Sequence, residues 1–143
     1  MKRTLALLVV ASLAVACSDS SQTPTTPSTT SSSTSGAPIY FTGTLAPQTS
    51  SFYSFTITQA GTLSVTLASL SVDPFNPTLS ASVGLGFGTP AGTACSLTRS
   101  VKTAAGLAAQ LVTAVGLGVF CVEIFDVGNL KLPTDFVVRI VHP

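Results

Sequence analysis

Two neighbouring stretches of this chain alternate between apolar and hydroxylated residues with a period of two. In Ser51 to Thr58 the residues Tyr53, Phe55 and Ile57 share one face, and in Thr62 to Leu67 the same holds for Leu63, Val65 and Leu67, with Ser and Thr opposite. Successive side chains of a strand point to opposite faces, so this pattern fits a half-buried strand and cannot place a helix stripe against a core. Gln59-Ala60-Gly61 lies between the runs as a turn, and together they read as a hairpin.

The same signal recurs along the rest of the chain. Ile39 to Leu45, Leu79 to Phe87, Ala94 to Val101, Ala108 to Val115, Val119 to Phe125 and Asp135 to Val141 complete about eight short strands separated by Gly and Pro. Ala104 to Val115 is rich in Ala and Leu and has helical propensity, but Gly106, Gly116 and Gly118 favour strand. Short strands at this spacing predict an all-β fold, an antiparallel β-sandwich of jelly-roll type over residues 39–143.

What precedes residue 39 cannot join that core. Lys2 and Arg3 lead an apolar run from Leu5 to Ala16, and Ser18 opens a polar stretch. The run is too short for a spanning helix, which needs about 20 apolar residues. Residues 1–16 therefore read as an export signal. Leu13-Ala14-Val15-Ala16-Cys17 resembles the lipobox of bacterial lipoproteins, in which the cysteine thiol is linked to diacylglycerol and the chain is cleaved in front of it. The resemblance implies lipidation of Cys17 and acyl chains such as palmitate. An ordinary signal peptide cut nearby is the alternative. Ser18 at the next position looks like the outer-membrane sorting type, so the expected location is exported and lipid-anchored to the cell membrane, or to the outer membrane if the bacterium has one.

Cysteine arithmetic supports the same reading, because three cysteines leave one odd thiol in an oxidising compartment. If Cys17 takes the lipid, Cys95 and Cys121 pair, and a bridge across 26 residues contributes roughly 3.5 kcal/mol in the chain-entropy model. Two or more acyl chains hold a membrane stably where one does so only marginally. Residues 17–38 are the expected lipid-anchored tether. Beyond Cys17 they are almost entirely Ser, Thr and Pro, offer no apolar surface to offset ordering, and predict a disordered spacer averaging roughly 25 Å.

Charge excludes some partners. Charged residues make up 8% of the chain, and beyond residue 38 Arg99, Lys102, Lys131 and Arg139 balance Asp73, Glu123, Asp126 and Asp135. A neutral domain without a basic stripe releases few counterions from phosphates, so nucleic acid is not an expected partner.

Catalytic patterns are weak. Gly84-Leu85-Gly86-Phe87-Gly88 does not end a strand and open a helix as a phosphate cradle must, so these glycines are expected to allow close packing or a bulge. His142 is the only histidine and has no GxSxG partner, and neither Cys95 nor Cys121 has a CxxC mate. Glu123 and Asp126 differ by an odd offset, which puts them on opposite faces of a strand. No enzyme and no cofactor are expected. For sugar binding there is no Trp; Tyr53 is expected to face the core, which leaves Tyr40, Phe75 and Phe125 as exposed aromatics, with Phe75 and Tyr40 the candidate ligand contacts.

Finally, Phe41-Thr42-Gly43-Thr44-Leu45, Ser51-Phe52-Tyr53-Ser54-Phe55-Thr56-Ile57 and Ala60-Gly61-Thr62-Leu63-Ser64-Val65-Thr66-Leu67 resemble the opening of bacterial pre-peptidase C-terminal domains. Val119 to Gly128 and Phe136 to Val141 resemble that family's final strands. The resemblance implies a jelly-roll-like accessory module of secreted enzymes that assists secretion or substrate binding and in some members holds calcium. Asp73, Asp126 and Asp135 are the calcium candidates, against a plain reading as turn and strand-end aspartates. The expected function is a non-catalytic envelope lipoprotein presenting a disulfide-stabilised sandwich as a structural or protein-binding module, with another envelope or secreted protein as partner. The alternative is a carbohydrate- or calcium-binding accessory module.

Overall fold

The computed structural model describes residues 36–72 and 80–143, and all of its regular structure is strand. The expected signal peptide, Cys17, the expected tether as far as residue 35, Asp73, Phe75 and the predicted strand start at Leu79 lie outside the described residues. Eight strands follow in order: β1 Ile39–Leu45, β2 Ser50–Ile57, β3 Gly61–Ser71, β4 Val83–Ala91, β5 Ala94–Thr103, β6 Leu111–Val115, β7 Gly118–Phe125 and β8 Thr134–Val141. They form two four-stranded antiparallel sheets, ordered β1-β8-β3-β6 and β2-β7-β4-β5.

That order is a folded ribbon. β1 pairs with β8, β2 with β7, β3 with β6 and β4 with β5, so the chain is one long hairpin whose tip is the β4–β5 turn. Rolling the ribbon brings β8 beside β3 and β7 beside β4 and closes the two sheets of a jelly roll. At the tip Ala91 faces Ala94 across Gly92-Thr93, and Gly92 has a φ of 62°, as the first central residue of a II′ turn requires.

The predicted β2–β3 hairpin is not formed. β2 and β3 belong to different sheets, and residues 58–60 carry the chain from one layer to the other. Both strands still turn their apolar face inward, as they would in a hairpin, so alternation alone does not distinguish the two arrangements. The inner faces supply the core: Leu63, Val65 and Leu67 of β3 and Phe136, Val138 and Ile140 of β8 meet Val83, Leu85 and Phe87 of β4 and Val122 and Ile124 of β7. Phe41 meets Phe136 edge to face at 4.9 Å between ring centroids, and Phe87 stacks on Phe120 at 5.2 Å.

The boundaries of three strands move for identifiable reasons. β3 continues to Ser71 through a bulge between Leu67 and Ser69, which shifts its phase so that Leu70 is buried in place of Ser69. β4 begins at Val83, where its pairing with β5 begins opposite Thr103, and it runs on through Pro90. Pro90 lies past the last β7 pairing at Gly88, so its missing N–H falls where β4 has a partner on one side only. β6 begins at Leu111 and not at Ala108, because the Gln110 side chain takes the place of a strand there. The Leu67 N–H donates to Gln110 Oε1 at 2.7 Å, and the Gly106 N–H donates to the Leu67 carbonyl at 2.9 Å.

Candidate functional site

Strand directions decide which loops share an end. The strands alternate in direction along the chain, so the connections 46–49, 72–82, 104–110 and 126–133 gather at one end of the sandwich. Connections 58–60, 92–93 and 116–117 lie at the other end, with the chain's exit toward residue 36. There the Gly36 N–H donates to the His142 carbonyl at 2.8 Å. Gly36 therefore lies at the end opposite the long connections.

Asp126 organises the long-loop end. Its Oδ1 accepts N–H bonds from Gly128 at 2.9 Å, Asn129 at 2.9 Å and Leu130 at 3.1 Å, and its Oδ2 accepts the Gln48 N–H at 2.9 Å. The Asp126 N–H donates to the Thr49 carbonyl at 3.0 Å, which ties the β1–β2 turn to the β7–β8 loop. Gln48 adopts a φ of 60°, a left-handed conformation uncommon for a side-chain-bearing residue, and this aims its N–H at the carboxylate. The Gln48 amide, helped by those of Leu130, Asn129 and Gly128 and opposed by partial burial, holds the carboxyl below its ordinary pKa. Asp126 thus binds the backbone of its own loop and of the β1–β2 turn.

Beside this hub lies a cleft of about 190 Å³ whose apolar wall is Val72, Ala81, Leu130 and Leu132, with Lys131 and Asn129 among its polar groups. Asn129 Nδ2 donates to the Ser82 carbonyl at 3.0 Å and joins the two loops that form the cleft. Leu107 and Leu132 are exposed on loops of this same end, Leu107 almost completely at 99%.

The remaining candidates are dispersed. Asp135 Oδ1 accepts the Thr44 hydroxyl at 2.6 Å on the outer face of the β1–β8 pair. Tyr40 is 59% exposed on that same face, directly opposite Arg139. Tyr53 does not sit in the core as expected. It shares the inner face with Phe55, yet β2 is an edge strand, and Tyr53 stacks at the rim between Phe41 at 5.8 Å and Phe55 at 6.3 Å while 37% exposed. Phe125, expected to be exposed, is half-buried because its ring lies over Gly84. His142 stacks on Phe55 at 5.4 Å, and its Nδ1 lies 2.8 Å from the Pro143 carbonyl oxygen. Among the described residues no group of three or more His, Cys, Asp or Glu side chains converges on a point.

Cys95 and Cys121 form a disulfide, with Cα atoms 5.9 Å apart. They belong to β5 and β7, which flank β4 in the sheet, so the bridge passes over β4. A bulge makes this reach possible. Phe87 faces Arg99 and Gly88 faces Leu97, which leaves Thr98 as the extra residue and swings the start of β5 over the sheet. Gly86 and Gly88 lie under that overhang, and Gly84 lies under a ring of β7. A Cβ at Gly84 would overlap the Phe125 ring, one at Gly86 would meet Leu97 at 2.6 Å, and one at Gly88 would overlap the Ser96 carbonyl oxygen. The expected close packing and bulge are both present.

Arg99 escaped the sequence reading. Past the bulge it reaches from β5 across the seam, and its Nη1 donates to the Val112 carbonyl at 3.5 Å and to Thr113 Oγ1 at 3.4 Å on β6. Gln48 and Gln110 were equally unmarked. No protein-family model matches the chain, and no curated protein matches it either.

Proposed function

We propose that this chain is an exported lipoprotein, anchored through acylated Cys17 to the cell membrane or, in a bacterium with two membranes, to the outer one, and that its disulfide-locked jelly roll is a non-catalytic structural or protein-binding module. The observation that carries the reading is the polarity of the sandwich. The chain enters at the short-turn end, where Leu117 is the exposed leucine, and the cleft lies at the long-loop end with exposed Leu107 and Leu132. A module attached through its N-terminal side would present the long loops outward, and exposed apolar side chains on loops carried by a rigid scaffold suit protein contact. The partner class is another envelope or secreted protein. The resemblance to pre-peptidase C-terminal domains, which are non-catalytic modules, supports the non-catalytic part of this reading.

Intact mass of the protein from membranes of its native host tests the anchor. The expected species is cleaved before Cys17, carries acyl chains and gains two hydrogens on reduction of the Cys95–Cys121 bridge. An unacylated soluble protein would remove the lipoprotein part of the reading. Leu107→Asp and Leu132→Asp, both exposed positions, should abolish co-purification of an envelope partner while leaving the melting temperature in place; full retention of the partner would remove the loop-end part.

A sugar-binding role has one specific observation in its favour. Tyr40 is 59% exposed on the outer face of the β1–β8 pair, in register with Arg139, so an aromatic residue and a donor-bearing residue stand on neighbouring strands. Glycan-array binding lost in Tyr40→Ala, with Phe75→Ala tested beside it, would move the assignment to that reading.

A further inference from the structure

The two open sides of the sandwich are built differently. On one side the edge strands are β5 and β6, and both are guarded. β5 carries Arg99 and Lys102 and is distorted by its bulge; β6 has only five residues, and Arg99 reaches over to bond its Val112 carbonyl. Charges, bulges and short length are the devices that keep a sheet edge from pairing with another chain.

On the other side the edge strands are β1 and β2, and β2, the longer, has none of these. It runs for eight residues, Ser50–Ile57, in unbroken register with β7, without a charge, a proline or a glycine. Among the described residues no strand pairs with its outer edge. Half of its backbone N–H and C=O groups therefore point away from the sheet. Both of its faces offer an aromatic ring there, half-buried Phe52 outward and rim-exposed Tyr53 inward.

We infer that the β2 edge, Ser50–Ile57, is a self-association surface at which a second copy of this chain adds its own β2 antiparallel and joins the two β2-β7-β4-β5 sheets into one. The choice of a second copy follows from charge. A two-fold contact places a strand against itself, so any charge it carries meets its own kind. β2 consists of Ser, Phe, Tyr, Thr and Ile alone, and Glu123 on β7, opposite Phe52, stays one strand behind the contact. β5 in the same role would bring Arg99 and Lys102 against their copies. With Ser54 on the two-fold axis, Tyr53 stands opposite Phe55 of the second copy, an aromatic cross-strand pair of the kind that stabilises antiparallel sheets. This surface is separate from the long-loop end, so the two proposals stand or fall independently.

The test is sedimentation velocity of the full chain, extracted from membranes in a density-matched detergent, over micromolar to submillimolar concentrations. A monomer–dimer equilibrium is expected. Thr56→Lys, at an exposed outer-face position of β2, should weaken it at least about tenfold by placing a lysine on the pairing edge. Ser100→Lys, the matched change on β5, should leave it unchanged. Monomer at every concentration overturns the inference, as does a Thr56→Lys protein that dimerises like the parent or a Ser100→Lys protein weakened to the same degree. Circular dichroism establishes that each variant is folded. If Thr56→Lys is not, Phe52→Lys takes its place with the same expectation.

Discussion

A buried or crowded position makes a residue's identity matter, and the glycines of β4 separate crowding from mere location. At Gly88 an added methyl meets the Ser96 backbone, which no rotamer change can move, so Gly88→Ala should cost about 3 kcal/mol in urea unfolding, at the upper end for overpacking. Gly116 has open space around it, and Gly116→Ala should fall within about 0.5 kcal/mol of the parent. Equal effects at the two positions would remove the close-approach explanation. Asp126 makes a prediction about pH. Its folded-state pKa lies below the ordinary value, so the stability it contributes is complete above the unfolded pKa of about 3.9 and is lost as pH falls through the folded value. Asp126→Asn should therefore flatten the fall of the urea midpoint below about pH 4, leaving a lower but more level curve. An acid limb as steep as the parent's would mean that other carboxyls carry the transition. Asp126 was legible in the sequence only as one of three aspartates at a turn or strand end. Arg99 was not, since its reach to β6 depends on a bulge at Thr98 that leaves no compositional mark.

At the scale of elements, the alternation that places Phe136, Val138 and Ile140 on one face of β8 was readable because one inward face is buried and the other is not. The same rule was silent about partners. It gave β2 and β3 their faces, while the turn at Gln59-Ala60-Gly61 misassigned their pairing, and it lost β3 after Leu67, where the bulge shifts the phase. The disulfide sits where two elements are forced together, the overhanging start of β5 and the middle of β7. Replacing both cysteines by alanine should lower unfolding free energy by roughly 3.5 kcal/mol through the freed 26-residue loop. It should also free the overhang from β7. Gly88→Ala would then cost less in the bridge-free background than in the parent, with a coupling of about 1 kcal/mol or more in a double-mutant cycle. Additivity would show that β5 is held over Gly88 by its own backbone pairing and not by the bridge.

The whole molecule is governed by the nesting of its pairs. β1 and β8 come from opposite ends of the described chain, yet they lie side by side, and the Gly36 N–H reaches the His142 carbonyl at 2.8 Å. Such order is hard to read from local pattern, because every turn except the β4–β5 tip carries the chain between sheets. It also sets folding speed, since the outermost pairs must close long loops before they are rewarded. A circular permutant tests this. Joining Pro143 to Gly36 through a short Gly-Ser linker and opening the chain between Gly116 and Leu117 places the break at an exposed two-residue turn. β8 and β1 then become a local hairpin, and β7-β8-β1-β2 and β3-β4-β5-β6 become two ribbons that each nest within themselves. Only the β4–β7 pairing grows more distant in sequence. The permutant should keep the fold and refold roughly tenfold faster than a linear chain beginning at Gly36, both measured with the bridge reduced. With the bridge oxidised, Cys95 and Cys121 enclose most of the permuted chain instead of a short loop, and the stabilisation from the disulfide should rise by about 1 kcal/mol. A refolding rate equal to or below that of the linear chain would place the rate-limiting step in the β4–β7 contact, the one pairing the permutation lengthens, and would make the joining of the two sheets, not the closing of the outer ribbon, the event that commits this chain to its fold.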